Sequence, residues 1–171
     1  VTGRADYARQ VSEIIAVLTE DALTDADAAN ITDLHAGDDV RYHVLVPADT
    51  KQNMLASLVD HLSLGELREA LDAVLRREPE PVRAYQTAEE SLGASIGALV
   101  RTGAEADGVV VSDDPLPALR AVVADPSVRE IVVVTVPHAL EDTFHTDWAS
   151  RARDELRVPV LHLYTGTNLL G

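Results

Sequence analysis

The sequence predicts a three-layer α/β/α sandwich built on a mostly parallel sheet of four or five strands, with helices added at its N-terminal end. Short continuous apolar runs recur at the length of strands buried on both faces. Between them lie stretches with apolar residues three and four apart, the spacing of amphipathic helices. From residue 105 to 165 the two kinds of segment alternate as strand, helix, strand, helix, strand, which implies parallel pairing with helices covering both sheet faces.

Tyr7, Val11, Ile14, Ile15 and Leu18 fall at helical spacing, so the first segment reads as a helix. Thr24, followed three residues later by Asp27, predicts a capped second helix with Ile31 and Leu34 inward and Gly37 at its end. Asp25, Asp27 and Asp33 then decorate its solvent side. Residues 40 to 48 read as the first strand, closed by Pro47. A long helical stretch follows, striped by Leu64, Leu67, Leu71, Val74 and Leu75 and stopped by Glu78-Pro-Glu-Pro81.

Residues 82 to 86 fit either a short strand or a loop. Helix resumes with Leu92, Ile96, Leu99 and Val100 inward and stops at Gly103. Gly108 to Ser112 reads as a buried strand, Leu116, Leu119, Val122 and Val123 as the inner face of a helix, and Ile131 to Val136 as the next buried strand. A helix over roughly 147 to 156 leads to a last strand from Val158 to Tyr164. With 171 residues and no long linker, the chain fits one domain, a helical extension over 1–39 and an α/β core over 40–165.

Composition narrows the function. The chain has 14 Lys and Arg against 29 Asp and Glu, a formal net charge of −15, which repels nucleic-acid backbones and anionic membranes. It contains no cysteine, so disulfides, thiolate metal sites and cysteine nucleophiles are excluded. No apolar run approaches the roughly 20 residues of a membrane span, and the expected compartment is the cytoplasm.

Several local features, in order, resemble the universal stress protein family, whose fold is Rossmann-like. Val44-Leu-Val-Pro-Ala-Asp49 resembles that family's opening strand, which ends in an aspartate near the nucleotide. Ser112-Asp-Asp-Pro115 and the following Leu116-Pro-Ala-Leu119 resemble the turn after its third strand, Glu130 to Thr135 its fourth strand, and Arg157-Val-Pro-Val-Leu161 its closing strand. The run Phe144-His-Thr-Asp-Trp-Ala-Ser-Arg151 is similar to a stretch of small actinobacterial proteins of this type. The resemblance implies an adenine-nucleotide-binding fold and a homodimer through the last strand.

The departure from the family is as informative. Nucleotide-binding members follow the fourth strand with spaced glycines, whose backbone N–H groups close around phosphates at a helix start. Here residues 136 to 147 contain no glycine, Thr146-Asp147 stands where a glycine and a Ser or Thr are expected, and Pro137 lacks a donor. ATP binding in the usual manner is therefore disfavoured. No cofactor is expected, with ATP or AMP kept as the alternative.

The ligand crevice of an open parallel sheet lies beyond the C-terminal ends of its strands. The residues that fall there are Asp49, Thr50, Ser112, Asp113, Thr135, His138 and Thr146. His138, His145 and Asp147 form a second grouping, able in principle to bind a divalent metal or to act as acid and base in a hydrolase. Their spacing matches no strong metal motif, and Asp147 is a natural N-cap for a helix opening at Trp148. His43 and His162 sit inside strands and read as packed or edge residues. The expectation is a binding or regulatory module, with a small-ligand site as the alternative and an enzyme as the less favoured one.

Overall fold

The computed structural model describes residues 12–48, 81–135 and 156–166. Among them five strands form one all-parallel sheet: β1 (Glu13–Thr19), β2 (Val40–Pro47), β3 (Glu105–Val111), β4 (Val128–Thr135) and β5 (Val160–Tyr164), in the order β3-β2-β1-β4-β5. Three helices accompany them: α1 (Asp25–Leu34), α2 (Pro81–Arg101) and α3 (Leu116–Val123). The α/β sandwich expected from the alternation is therefore present. Among the described residues no helix is long and apolar enough to cross a membrane.

Glu13-Ile-Ile-Ala-Val-Leu-Thr19 is not helical but is the central strand, paired with β2 on one side and β4 on the other. A run of consecutive apolar residues satisfies helical spacing as well as any other period, so the stripe through Ile14, Ile15 and Leu18 was no discriminator. Both faces of β1 are buried. Ile15 and Val17 pack with α1 and α2, while Ile14, Ala16 and Leu18 pack with α3 and Leu156.

The alternation of side chains distributes the core into two clusters, one on each side of the sheet. On the side of α1 and α2, Tyr42, Val44, Val46, Val132, Val134 and Leu163 join Ala28, Ile31, Ala98 and Leu99. On the other side Leu45, Ile131 and Val133 meet Leu116 and Leu119. Leu34 and Val100, expected to face inward, are each 53% exposed. Both stand at the last turn of their helices, beyond the reach of the apolar stripe.

Residues 82 to 86 are helical rather than strand or loop. They belong to α2, which is described from Pro81 onward. That helix then runs 21 residues and packs on β2 and β3. Gly103 ends it with φ +93°, a left-handed conformation that glycine adopts without a Cβ penalty. β3 is longer than expected and lies at the edge of the sheet, where only Val111 is fully buried and Val109 is exposed. Its outward carboxylate, Asp107, pairs with His43 Nδ1 and with Arg41 of β2. The helical stripe expected over 64–75 lies outside the described residues, as does nearly all of the helix expected over 147–156.

Candidate functional site

Because β2 and β3 lie to one side of β1 and β4 and β5 to the other, the chain reverses direction across the sheet at the β1/β4 boundary. In open α/β sheets that boundary, at the carboxyl ends of the strands, is where ligands bind. β1 ends there at Thr19, followed by Glu20 and Asp21, and β4 ends in Thr135. Thr19 is 2% exposed, and both carboxylate oxygens of Glu20 are buried.

The first turn of α1 supplies the next group. Thr24 and Asp27 form a reciprocal capping box: Thr24 Oγ1 accepts from the Asp27 N–H, and Asp27 Oδ2 accepts from the Thr24 N–H and hydroxyl at 3.0 and 2.7 Å. The other oxygen, Oδ1, accepts from the backbone N–H of Gly166 at 2.7 Å, joining α1 to the turn after β5. Asp27 is therefore not a solvent-side residue; it is 4% exposed. A capping carboxylate with a third, long-range donor is drawn into the packing instead of pointing to water. Asp25 and Asp33 are exposed, as expected.

Thr135 is placed at the carboxyl edge as the sequence implied, but its hydroxyl is engaged. It shares a buried hydrogen bond with His162 Nε2 at 2.8 Å, and the His162 ring lies 4.8 Å from that of Tyr164. His162 is buried, in keeping with its reading as a packed residue. Thr165 donates its N–H to the Thr135 carbonyl at 2.9 Å, so the end of β5 continues along β4 before Gly166 turns toward α1.

Ser112 and Asp113 also stand at the carboxyl edge, after β3. Ser112 donates its hydroxyl to the Asp114 carbonyl, and Asp114 Oδ1 accepts from the N–H of Leu116 at the start of α3. The segment is a helix-entry turn, with Pro115 before α3 and Pro117 inside its first turn. At this edge the starts of α1 and α3, where the partial positive charge would attract an anion, thus hold a carboxylate of the chain itself: Asp27 at α1 and Asp114 at α3.

Asp49, Thr50, His138 and Thr146, and the metal-type grouping of His138, His145 and Asp147, lie outside the described residues. Among the described residues no three His, Asp, Glu or Cys side chains gather to hold a metal ion. Sequence reasoning missed Thr19, Asp27 and Gly166 as groups of this edge. The Thr24 to Asp27 spacing signalled a helix start but carried no sign of the contact with Gly166.

A separate polar network lies toward the amino ends of the strands. His35 caps α1 and is buried, with Nδ1 2.8 Å from the Ile31 carbonyl oxygen and Nε2 2.8 Å from Glu130 Oε1. The Tyr42 hydroxyl lies 3.2 Å from Nδ1. Burial, then the charges of Glu130 and Asp38, pushes the Tyr42 phenol up to about 12. No protein-family model matches this chain, and no curated protein matches it either.

Proposed function

We propose that the protein is a binding or regulatory module of the universal stress protein type in which the usual phosphate chemistry has been replaced. The observation that carries this reading is the Asp27 carboxylate, which occupies the start of α1 beside the β1/β4 boundary. A phosphate brought there meets the negative charge of that buried carboxylate. The absence of glycine from residues 136 to 147 supports the same conclusion.

Donor accounting favours a small-ligand site of a particular polarity. The hydroxyls of Thr19, Thr24 and Ser112 and the N–H groups of Thr165 and Gly166 are all donated within the chain. What the hydroxyl oxygens leave toward a ligand is lone pairs, so the edge suits a molecule that brings its own N–H and O–H donors. A nucleoside fits that description better than a nucleotide. β5 stands at the edge of the described sheet, and pairing of two copies through it is the dimer we propose with this reading.

A thermal-shift series with adenosine, AMP and ATP·Mg²⁺ tests the reading. The expected order of stabilisation is adenosine, then AMP, then ATP. Saturable stabilisation by ATP·Mg²⁺ that exceeds that by adenosine overturns it.

A further inference from the structure

We propose that β3 is a self-pairing edge, through which two copies of the chain join antiparallel about Gly108 into one continuous sheet. Nothing in this depends on a ligand at the carboxyl edge, and β3 stands at the opposite end of the described sheet from β5, so the two pairings do not compete. Among the described strands β3 pairs with β2 alone, and the Val111 carbonyl accepts from the N–H of Ala48, which follows β2. Backbone groups of successive residues point to alternate sides of a strand. Glu105, Asp107 and Val109 thus share the β2 side with Val111, while Ala106, Gly108 and Val110 direct their N–H and C=O groups outward. No described residue takes up those outward groups.

The order of residues along the strand selects a second copy as the partner. Glu105-Ala-Asp107 is an acidic half, Val109-Val-Val111 an apolar half, and Gly108 stands between them. Two-fold pairing about Gly108 uses the whole strand and sets each half against the other. Glu105 meets Val111, Ala106 meets Val110 and Asp107 meets Val109, so no like charges are opposed. A register centred on Asp107 opposes the two Asp107 carboxylates, and one centred on Ala106 sets Glu105 against Asp107. One centred on Val109 carries Glu105 past the end of the strand to Asp113.

α2 carries the pairing into a second layer. It packs on both β2 and β3, with Leu92 over Gly108. Ser95 accepts from the Leu23 N–H and Ala98 joins the core with α1, so that flank of α2 faces α1. At about 100° per residue, Tyr85 and Val100 lie on the other flank, toward the β3 edge. Both are exposed, as is Val109 on β3. Three of the four large apolar side chains exposed among the described residues therefore belong to the two elements at this edge. Two copies joined at β3 set their α2 helices roughly 10 Å apart, about two strand spacings, which is the separation of packed helices.

Sedimentation equilibrium of the whole chain over a dilution series reads the association. It is run at about 0.15 M salt, where repulsion between net charges of −15 is screened beyond about 8 Å. The expected result is concentration-dependent association of the parent. Val109→Glu, at an exposed position, sets a carboxylate opposite Asp107 twice in each pair and should weaken association about tenfold or more. Val109→Lys sets an ammonium there and should stay within about threefold of the parent. Hydrogen exchange gives a second readout: the amides of Ala106, Gly108 and Val110 gain protection as concentration rises, and Val109→Glu abolishes the gain. A parent that stays monomeric overturns the pairing. So does association that Val109→Glu leaves unchanged, which places it at another edge such as β5, and so does equal loss in both variants, which removes the register. Protection of the three amides at every dilution overturns it as well, since the chain itself would then cover the edge.

Discussion

His35 Nε2 lies 2.8 Å from Glu130 Oε1, tying the end of α1 to β4 across 95 residues of sequence. The other ring nitrogen holds the Ile31 carbonyl one helical turn back, so the imidazole completes the helix end and fastens it to the sheet at once. His35→Ala removes both bonds and leaves the Glu130 carboxylate, whose side chain is 20% exposed, without its partner. A loss of about 2–4 kcal/mol is expected, measured by urea unfolding. In a double-mutant cycle with Glu130→Gln, the two losses add to more than the double variant shows. Strict additivity would mean that the pair is not coupled.

Alkaline stability follows from the Tyr42 phenol. Its value is raised from 10.0 to about 12 in the folded state, so the native protein holds that proton more tightly than the unfolded chain. The contribution is complete below pH 10 and is lost as pH rises from 10 through 12. Relative to Tyr42→Phe, the parent protein should lose about 2–3 kcal/mol over that window, a conversion of the two-unit rise. Superimposed stability profiles for the two proteins between pH 10 and 12 would contradict the burial of this hydroxyl.

Two glycines separate steric need from conformational cost. A Cβ at Gly108 would stand 2.3 Å from the Val44 carbonyl oxygen and 2.7 Å from Leu92 Cδ1, because α2 packs closely over β3. Gly108→Ala should destabilise by about 2–3 kcal/mol. Gly93, inside the same helix, has nothing within 4 Å of its would-be Cβ. Gly93→Ala should stabilise by about 0.5–1 kcal/mol through helix propensity. Thermal unfolding of both variants checks the pair of signs.

Asp125 offers an electrostatic check at the turn between α3 and β4. Its carboxylate accepts from the Ser127 hydroxyl at 2.6 Å and from the Ser127 N–H at 2.9 Å, which together hold it below the usual carboxylate range. Ser127→Ala removes the larger of those causes, so the carboxyl should titrate at higher pH in a side-chain NMR titration. No movement would mean that the hydroxyl is not its partner in solution.

How far the sequence was legible depends on the kind of signal. β2, β4 and β5 announced themselves as compact apolar runs, and α1 by its capping residues. β1 was misread because burial on both faces erases the alternation that distinguishes a strand from a helix. α2 was shortened because residues 82 to 86, which are helical, carry only a weak apolar pattern. The carboxyl edge was located correctly in outline through Ser112, Asp113 and Thr135. Its buried acid was not, because Asp27 and Gly166 are brought together only by the sheet order β1-β4-β5.

The site we propose favours a donor-rich ligand over a phosphate. An amide NMR titration with adenosine and with ATP·Mg²⁺, followed at Thr19, Thr135, Thr165 and Gly166, tests it most directly. Saturable shifts of these amides are expected with adenosine, and weaker binding with each added phosphate. Tighter binding of ATP·Mg²⁺ than of adenosine at the same amides would contradict it.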